Sequence, residues 1–471
     1  MESVKKNINE QAEDLIAEPE LPEPEFVEEH AIVRQKIWRL AWPVIAEQSL
    51  GTVTQIVDQA MVGRLGAANI AAIGLSFQPL FLAMGVFMGI GVGTTALVAR
   101  FIGAKQPEGA SRATANSLTI STILALALSI FAFTKAEALT AFMGASPEVV
   151  ALGASYIRYL IPGLVFMLAG MVLSGALRGA GDTMTPMKIN LVLNVVNVVL
   201  NYGLIYGRLG LPEMGLNGAA LATSIARGLG GIALLVVVFG GKKAIRVTPR
   251  ELLKLDLSRI SRIVRIGIPA GLERFFMSLG QMFYVKIVAS LGTVVYAAHA
   301  LAINAESISY MPAFGFAAAA TTMVGQNLGA GRPRAAKRYG WETWRFGAIV
   351  MGSMSIIFLF FPGLLMRIYT NDPDIIRYGS LALRIIAFAQ IPMSAGFIVA
   401  GALRGAGDTM SVWLWSMVSV WGIRLVLAYL LVVYLGWGLL GAWLAMSADW
   451  IFRGTIYVIR WNSGKWAKVK V

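Results

Sequence analysis

Three polar side chains in the first long apolar segment, residues 37–62, have the spacing of a functional helix face. Glu47, Thr54 and Asp58 stand at positions i, i+7 and i+11, which places them near one side of a helix. Ionisable groups inside apolar helices are costly and face a cavity or a partner. Pro43 lies one turn before Glu47 and removes a backbone hydrogen bond, so we expect the helix to bend there. Asp58 is the best candidate for binding a proton or a sodium ion; the alternative is a buried hydrogen-bonding residue.

A strip of amides occupies the fifth apolar segment, residues 187–207. Its asparagines are three or four residues apart: Asn190, Asn194, Asn197 and Asn201. Four amides on one helical strip are costly in contact with lipid unless they have partners. Their carbonyl oxygens can coordinate a hard cation, or the amides can pair across helices. Thr223 in the next segment adds a hydroxyl oxygen. The residues alone leave both interpretations open.

The second half of the chain repeats part of this pattern with a chemical change. Pro269 and Glu273 recreate the proline and glutamate pair, whereas Tyr284 occupies the position that matches Asp58. Asp58 is therefore a carboxylate unique to the first half. Met277 and the aromatic residues near it either line an adaptable drug cavity or belong to ordinary core packing. Six residues are candidates for the cavity or its gating: Pro43, Glu47, Thr54, Glu273, Tyr284 and Met277.

The decapeptide GALRGAGDTM occurs twice, at residues 175–184 and 401–410, so the copies are 226 positions apart. The phosphate-binding pattern GxxxxGKS/T is absent and no strand pattern precedes either copy, which disfavours a nucleotide site. The glycines favour a tight turn into the following helix. We interpret each copy as a structural clamp that ties the turn to helix ends through an arginine and an aspartate. These residues are Arg178 and Asp182 in the first copy, and Arg404 and Asp408 in the second.

The composition is that of a membrane protein. Of 471 residues, 57% are hydrophobic and 14% are charged, and the mean hydropathy is +0.67. A helix of roughly 20 apolar residues crosses a hydrocarbon core. Twelve such segments can be drawn, at 37–62, 69–99, 113–134, 148–174, 187–207, 215–240, 266–290, 296–325, 342–368, 375–402, 412–434 and 437–460. The expected fold is an all-α polytopic membrane protein with twelve transmembrane helices.

Few residues offer catalytic chemistry. The chain has no cysteine and two histidines, His30 and His299, so it lacks a thiolate nucleophile, and a histidine metal site or a Ser-His-Asp triad is disfavoured. We expect no enzyme activity and no cofactor; the coupling ion would be a proton or sodium. Nucleic acid is not an expected partner, because the formal net charge of +14 is explained by the membrane topology.

Basic and weakly charged connections alternate along the chain. Those after the second, sixth and eighth segments are basic, as is the C-terminal tail, 461–471, whereas those after the first, fifth and ninth are not. Cytoplasmic connections accumulate Lys and Arg, so we expect a multi-pass inner (plasma) membrane protein with both termini in the cytoplasm. Residues 1–35 are acidic and contain no signal-peptide core, which predicts a cytoplasmic tail.

The offset of 226 positions extends beyond the decapeptide, since it also pairs Pro43 with Pro269 and Glu47 with Glu273. Each unit contains six segments, so both units begin on the same side of the membrane. The expected architecture is two six-helix lobes, 36–241 and 266–460, related by a pseudo-two-fold axis along the membrane normal. Residues 242–265 form a basic cytoplasmic linker between them. A monomer in the lipid bilayer is the expected assembly.

These motifs resemble the multidrug and toxic compound extrusion (MATE) transporters over residues 36–460. The resemblance rests on VDQAMVGRLG in the first segment, both copies of GALRGAGDTM, NVVNVVLNYGLIYG in the fifth segment, GIPAGLE in the seventh, and GQNLGAGRP after the eighth. It implies an antiporter that exports small organic molecules, often cationic and amphipathic, by alternating access and at the expense of a sodium or proton gradient.

The resemblance also assigns site residues. Asp58 matches the acidic residue of the family's N-lobe, and Asn197 and Thr223 match its cation ligands, which implies a sodium or proton site at these three residues. Asn201 falls where some members have an aspartate, so the site here carries less negative charge.

Two departures point to one branch of the family. Met277 stands where the NorM-like branch has a glutamate, and residues 390–393 contain no acid. The chain is therefore closer to the DinF-like pattern, in which coupling is concentrated in the N-lobe. The nearest alternative is a flippase of the same superfamily for lipids or lipid-linked oligosaccharides, with a lateral opening and a more cationic cavity. A membrane-embedded enzyme or receptor is less favoured, because no nucleophile, base or metal cluster is present, and a channel leaves the paired prolines unexplained.

Overall fold

The computed structural model describes residues 30–241 and 244–469, which form helices joined by turns and contain no strand. The first half comprises α1 His30–Gly63, α2 Ala67–Gly103, α3 Pro107–Thr134, the short α4 Ala136–Phe142, α5 Pro147–Gly179, α6 Met184–Tyr206 and α7 Gly215–Phe239. A single turn, α8 Pro249–Leu252, precedes the second half. That half comprises α9 Leu257–Ala289, α10 Thr293–Gly329, α11 Pro333–Phe360, the short α12 Pro362–Arg367, α13 Pro373–Ala387, α14 Gln390–Gly405, α15 Thr409–Tyr434 and α16 Gly438–Asn462.

Twelve membrane crossings follow from these helices. Within the described residues, seven helices are long and apolar enough to span a membrane by themselves, and α13 with α14, bent by 60° at their junction, form an eighth. The other four, α1, α9, α10 and α16, contain 25 to 37 residues, which is sufficient to cross. These four are more polar because they carry charged residues that face the protein interior, such as Glu306 and Asp449.

The two halves repeat helix by helix. Helices α2, α3, α4 and α5 begin 226 positions before α10, α11, α12 and α13 respectively. The glycines before α2 and α10, Gly66 and Gly292, have the same backbone angles, φ 100° and ψ 166°. The all-α fold with two six-helix lobes in parallel repeat is therefore confirmed.

Three boundaries differ from those drawn on the sequence. Helix α1 begins at His30, within the predicted acidic tail, whose residues 1–29 lie outside the described residues. Helix α9 begins at Leu257, so the amphipathic end of the predicted linker is the first part of a membrane helix. The predicted C-terminal tail packs on the protein, because Trp461 and Trp466 are buried in the C-lobe core and Arg100 Nη2 donates to the Val469 carbonyl (3.3 Å).

Helix α1 crosses from one lobe to the other at its proline. Val33, Ile37 and Ala41, before Pro43, are part of the hydrophobic core of the C-lobe, whereas Tyr206 of the N-lobe donates a hydrogen bond to the Met61 carbonyl of α1 (2.7 Å). The arrangement is reciprocal, because Ile263, before Pro269 in α9, belongs to a core cluster of the N-lobe. A bend at either proline therefore moves one lobe relative to the other.

The lobes meet tightly at the ends of α2 and α10 that lead into the basic connections. A Cβ atom on Gly103 would lie 1.8 Å from the Gln326 carbonyl oxygen, and one on Gly329 would lie 2.0 Å from that of Arg100. Only glycine permits this approach. Arg100 Nη2 also donates to the Ala406 carbonyl (2.7 Å), and Gln326 Nε2 donates to the Gly179 carbonyl (3.0 Å). Each decapeptide is thus hydrogen-bonded by the opposite lobe, and this end of the molecule is closed.

Candidate cation and substrate site

Asp58 lies half-buried on α1 beside two helices of the same lobe. Asn201 Nδ2 of α6 donates a hydrogen bond to Asp58 Oδ1 (2.6 Å). Asn197 lies one turn earlier and its Nδ2 is 3.5 Å from the hydroxyl of Thr223 on α7. The structure therefore brings together the four residues for which a coupling role was predicted from the sequence, although they come from three separate helices.

The oxygens of this group are not all matched by donors. Asn201 Oδ1 is buried and has no hydrogen-bond partner among the described residues. The Asn197 amide satisfies its neighbours best when its nitrogen donates to the two Asp58 oxygens (3.1 and 3.2 Å); turning the amide over directs its oxygen at the carboxylate instead. One carboxylate with neutral amide and hydroxyl oxygens is a donor set suited to a hard cation. A proton on Asp58 would supply a donor to the same group.

Glu47 faces a different partner. Arg178 Nη2 of α5 donates to both carboxylate oxygens (2.9 Å each), and Asn190 Nδ2 of α6 donates to Oε1 (2.7 Å). The predicted asparagine strip is thus divided, with Asn190 on Glu47, and Asn197 and Asn201 around Asp58. Glu47 lines the cavity described below, but its charge is already paired with a basic residue of the first decapeptide.

The second lobe repeats this ion pair. Arg404 Nη2 donates to the two Glu273 oxygens (2.8 and 2.9 Å), and Ser416 Oγ, which replaces Asn190 in the repeat, donates to Glu273 Oε1 (3.0 Å). The arginine of each decapeptide therefore fastens α5 or α14 to the first helix of its own lobe. We name these pairs the N-lobe clamp, Glu47 with Arg178, and the C-lobe clamp, Glu273 with Arg404.

The aspartates of the decapeptides hold neighbouring helices. Asp182 accepts hydrogen bonds from the backbone nitrogen and the hydroxyl of Thr185 at the start of α6 (2.9 and 2.7 Å). Asp408 accepts one from Arg460 Nε of α16 (2.8 Å). Both contacts join a decapeptide turn to a neighbouring helix.

The remaining cavity candidates make contacts within the protein. Thr54 donates its hydroxyl to the Leu50 carbonyl of its own helix (3.0 Å), so this hydroxyl is not aimed at Asp58. Tyr284 is fully buried and donates to the Ala442 carbonyl (2.9 Å). Met277 Sδ lies 3.9 Å from Arg453 Nη1. Of the six residues predicted for the cavity or its gating, Glu47 is a lining residue, and the lining does not include Pro43, Thr54, Glu273, Tyr284 or Met277. A role of these residues in gating stays a prediction.

A buried charged cluster lies in the C-lobe, among residues to which the sequence pattern assigned no role. Arg453 Nη2 donates to both oxygens of Asp449 (2.6 and 2.7 Å), and Arg424 forms an ion pair with the same carboxylate. All three side chains are 7% exposed or less. The repeat offers a signal, because positions 223 and 227 of the N-lobe correspond to 449 and 453. It identifies Arg227, which no motif had singled out, as the counterpart of Arg453.

A cavity of about 420 Å³ opens between the lobes, on the N-lobe side of their boundary. Its walls come from α1, α2, α5, α6 and α7, with α10 and α14 contributing from the C-lobe. Phe87, Met88, Met167 and Met171 supply apolar surface. The charged lining residues are Glu47, Arg178, Arg227 and Arg404. An adaptable methionine-rich wall with a few charges suits amphipathic ligands of varied shape.

Two repeated helical lobes around one shared cavity form the architecture of a membrane transporter. The sequence model of the MatE family matches residues 43–203 and 269–430, and the chain belongs to that family. It is a membrane transporter of the multidrug-efflux type and not an enzyme, so the predicted MATE identity is confirmed.

Individual relatives agree with this assignment. The chain is 33% identical to the probable multidrug resistance protein NorM of Thermotoga maritima, over 95% of each chain. It is 28% identical to the uncharacterized transporter YisQ of Bacillus subtilis, over 91% of this chain and 94% of the relative.

Solved structures of the same fold include an outward-facing multidrug resistance MATE transporter of the MOP superfamily, with a TM-score of 0.85 at 24% identity, covering 92% of this chain and 97% of the other. A second is a MOP superfamily transporter from Pyrococcus furiosus whose description refers to a binding pocket of reverse polarity. It has a TM-score of 0.85 at 23% identity over 93% and 97% of the two chains.

Proposed function

We propose that the protein is a cation-coupled antiporter that exports organic, cationic or amphipathic compounds through the inner membrane, with both termini in the cytoplasm. Asp58 is the coupling residue and binds a proton, or a sodium ion together with Asn197, Asn201 and Thr223. The observation that carries this proposal is one carboxylate grouped with amide and hydroxyl oxygens of two other helices, where the buried Oδ1 of Asn201 has no partner among the described residues. The cavity is completed by the chain's own two lobes, so a monomer suffices.

The position of Asp58 on α1 gives its occupancy a mechanical consequence. A bound cation takes over the oxygens that now interact with Asn201, and so changes how the second half of α1 packs against α6. The first half of α1 is fixed in the C-lobe core, and Pro43 separates the two halves. A shift at Asp58 is therefore transmitted to the lobe interface through the proline, where a helix bends at low cost. The closed end at Gly103 and Gly329 is the contact that must open when the cavity faces the cytoplasm.

Transport in proteoliposomes tests the role of Asp58. With a cationic dye inside and an imposed proton or sodium gradient, Asp58→Asn is expected to lose at least about 90% of gradient-driven efflux, since a neutral amide cannot release and rebind a cation. Asp374→Asn, the same substitution at an exposed position of α13, should transport like the wild type. Normal transport by Asp58→Asn under both gradients would refute the proposal, and the gradient that drives the wild type identifies the coupling ion.

One observation favours the flippase alternative. Three of the four charged lining residues are arginines, which would suit the phosphate of a lipid or a lipid-linked oligosaccharide. Two of these arginines, however, are paired with Glu47 and Glu273. Translocation of fluorescent anionic phospholipid in the same vesicles distinguishes the functions. Asp58-dependent lipid movement without dye efflux would replace the antiporter by a flippase.

A further inference from the structure

Arg227 on α7 differs from the other charged residues that line the cavity. Arg178 is held by Glu47 in the N-lobe clamp and Arg404 by Glu273 in the C-lobe clamp. Arg227 makes no hydrogen bond and no ion pair with any part of the chain that the structure describes, and its side chain is exposed to the cavity. A guanidinium group in this position is a fixed positive charge directed at whatever ligand the cavity holds.

The charge that balances Arg227 is on Asp58. On α7, Arg227 lies one turn after Thr223, which belongs to the group around Asp58, whereas Glu47, the carboxylate that lines the cavity, is already engaged with Arg178 at 2.9 Å. From the neighbouring α5, Tyr156 also faces Asp58 and carries no charge at neutral pH. Of the arginines that line the cavity, Arg178 and Arg404 are each balanced by a glutamate, and Asp58 is the carboxylate left to balance Arg227. The balance holds only while Asp58 is ionised and free.

We propose that Arg227 sets the charge selectivity of the substrate cavity and makes an organic cation and the coupling cation mutually exclusive occupants. When a cation binds Asp58, the positive charge of Arg227 loses its counter-charge and repels a cationic substrate. When the cation leaves, the carboxylate again offsets Arg227 and an organic cation can bind. The two occupants thus compete through the electrostatic field of the cavity without sharing a ligand. The exchange part of this inference rests on the proposed coupling role of Asp58.

Comparison with the C-lobe explains why we assign this charge selectivity to the N-lobe. Arg453, the repeat counterpart of Arg227, is fixed by two hydrogen bonds to Asp449 one turn earlier on the same helix. In the N-lobe that position is Thr223, which has no charge to hold the guanidinium. Arg227 therefore remains available to the cavity, whereas Arg453 is confined to the C-lobe interior.

Equilibrium binding without any gradient tests the inference. The probes are three dyes of similar size, one with a quaternary ammonium group, one neutral and one with a sulfonate. Affinities are measured on purified protein in lipid nanodiscs, without sodium at one alkaline pH, for the wild type, Arg227→Gln, Arg227→Lys, Asp58→Asn and the double variant. Arg227→Lys is the matched control, because it retains the charge at the same position.

The expected pattern depends on the charge of the dye. One unit charge about 10 Å away at an effective dielectric constant of about 20 changes affinity on the order of tenfold. Arg227→Gln should bind the ammonium dye about tenfold more tightly and the sulfonate dye about tenfold more weakly. Asp58→Asn should do the reverse, and the double variant should return to within about threefold of the wild type. The neutral dye should change by less than about twofold in every variant.

The outcomes separate this inference from the proposed function. Equal effects of Arg227→Gln on all three dyes would overturn it, as would failure of the double variant to restore ammonium binding, even if Asp58→Asn abolishes coupled efflux. Conversely, compensation between the two substitutions in binding would support the charge selectivity even if coupled efflux did not depend on Asp58.

Discussion

The two lobes place the same residue type in opposite surroundings at equivalent positions. In the C-lobe, Arg453 is buried and bonded to Asp449, which also pairs with Arg424. In the N-lobe, Arg227 faces the cavity and makes no ion pair with the described residues. Since the helices correspond at a constant offset of 226 positions, the difference comes from side chains and not from the fold.

This difference indicates that the two lobes of the duplicated transporter have different roles. A buried charge that is fully paired resists change, because separating it leaves an uncompensated ion in a low-dielectric interior. A charge that faces a cavity can respond to each ligand that enters. The paired charges around Asp449 thus have the character of a fixed frame in the C-lobe, and the proposed cation site places the group that changes its occupancy, Asp58, in the N-lobe.

Removing the shared carboxylate of the C-lobe should strongly destabilise the protein. Asp449→Asn leaves two buried arginines with less compensation, and breaking such a pair costs about 3–5 kcal/mol. The measurement is thermal or denaturant unfolding of purified protein in detergent. Asp58→Asn, the control in the N-lobe, should shift the unfolding free energy by less than about 1 kcal/mol. Comparable losses in both variants would contradict the division between a fixed and a responsive lobe.

The clamps should behave alike, because they are the part of the repeat that has not diverged. Glu47→Gln and Glu273→Gln each replace a carboxylate that accepts hydrogen bonds from an arginine by a neutral amide. The arginine in each pair is roughly one-quarter exposed. Each substitution should lower the unfolding free energy by about 1–3 kcal/mol. Glu137→Gln, in the exposed pair with Arg158, is the control and should cost less than about 1 kcal/mol. A large effect in one lobe alone would show that the clamps have separate roles.

The smallest expected effect is at Thr223, where the C-lobe has Asp449. Thr223→Val removes one neutral oxygen from the Asp58 group, and a single contact of this kind contributes about 1 kcal/mol. The concentration of coupling cation needed for half-maximal dye efflux should rise about fivefold, with maximal efflux retained. Thr54→Val is the control, since that hydroxyl is bonded within its own helix. Loss of all transport in Thr223→Val would indicate that the hydroxyl has a role beyond coordination.

Much of the architecture could be predicted from local patterns. Apolar length gave the twelve spans, and identical residues at a constant offset gave the two parallel lobes. The group around Asp58 could also be proposed, because carboxylates, amides and hydroxyls inside apolar helices need partners. Each of these residues is polar within an apolar segment, and this can be recognised without knowing which helices are in contact.

The partners themselves could not be predicted in this way. Periodicity places Glu47 and Asp58 near one face of α1, but it does not show that Arg178 meets the first and Asn201 the second. Arg227 was overlooked for the same reason: a single arginine in a glycine-rich helix has no pattern, and its significance depends on what Arg453 contacts in the other lobe.

The sequence by itself determined that the protein crosses the membrane twelve times, that it is a duplicated unit, and that polar groups suited to cation binding lie in its first half. These properties follow from the hydrophobicity of whole segments and from residues that recur at a constant offset. Both can be recognised in the sequence without knowing how the chain folds. Only the tertiary structure decided that α1 is shared between the lobes, that each repeated decapeptide fastens a glutamate 131 positions earlier, and that one arginine faces the cavity while its counterpart is locked. The physical reason is that ion pairs and hydrogen bonds act over a few ångströms, so the fold must first bring distant segments together.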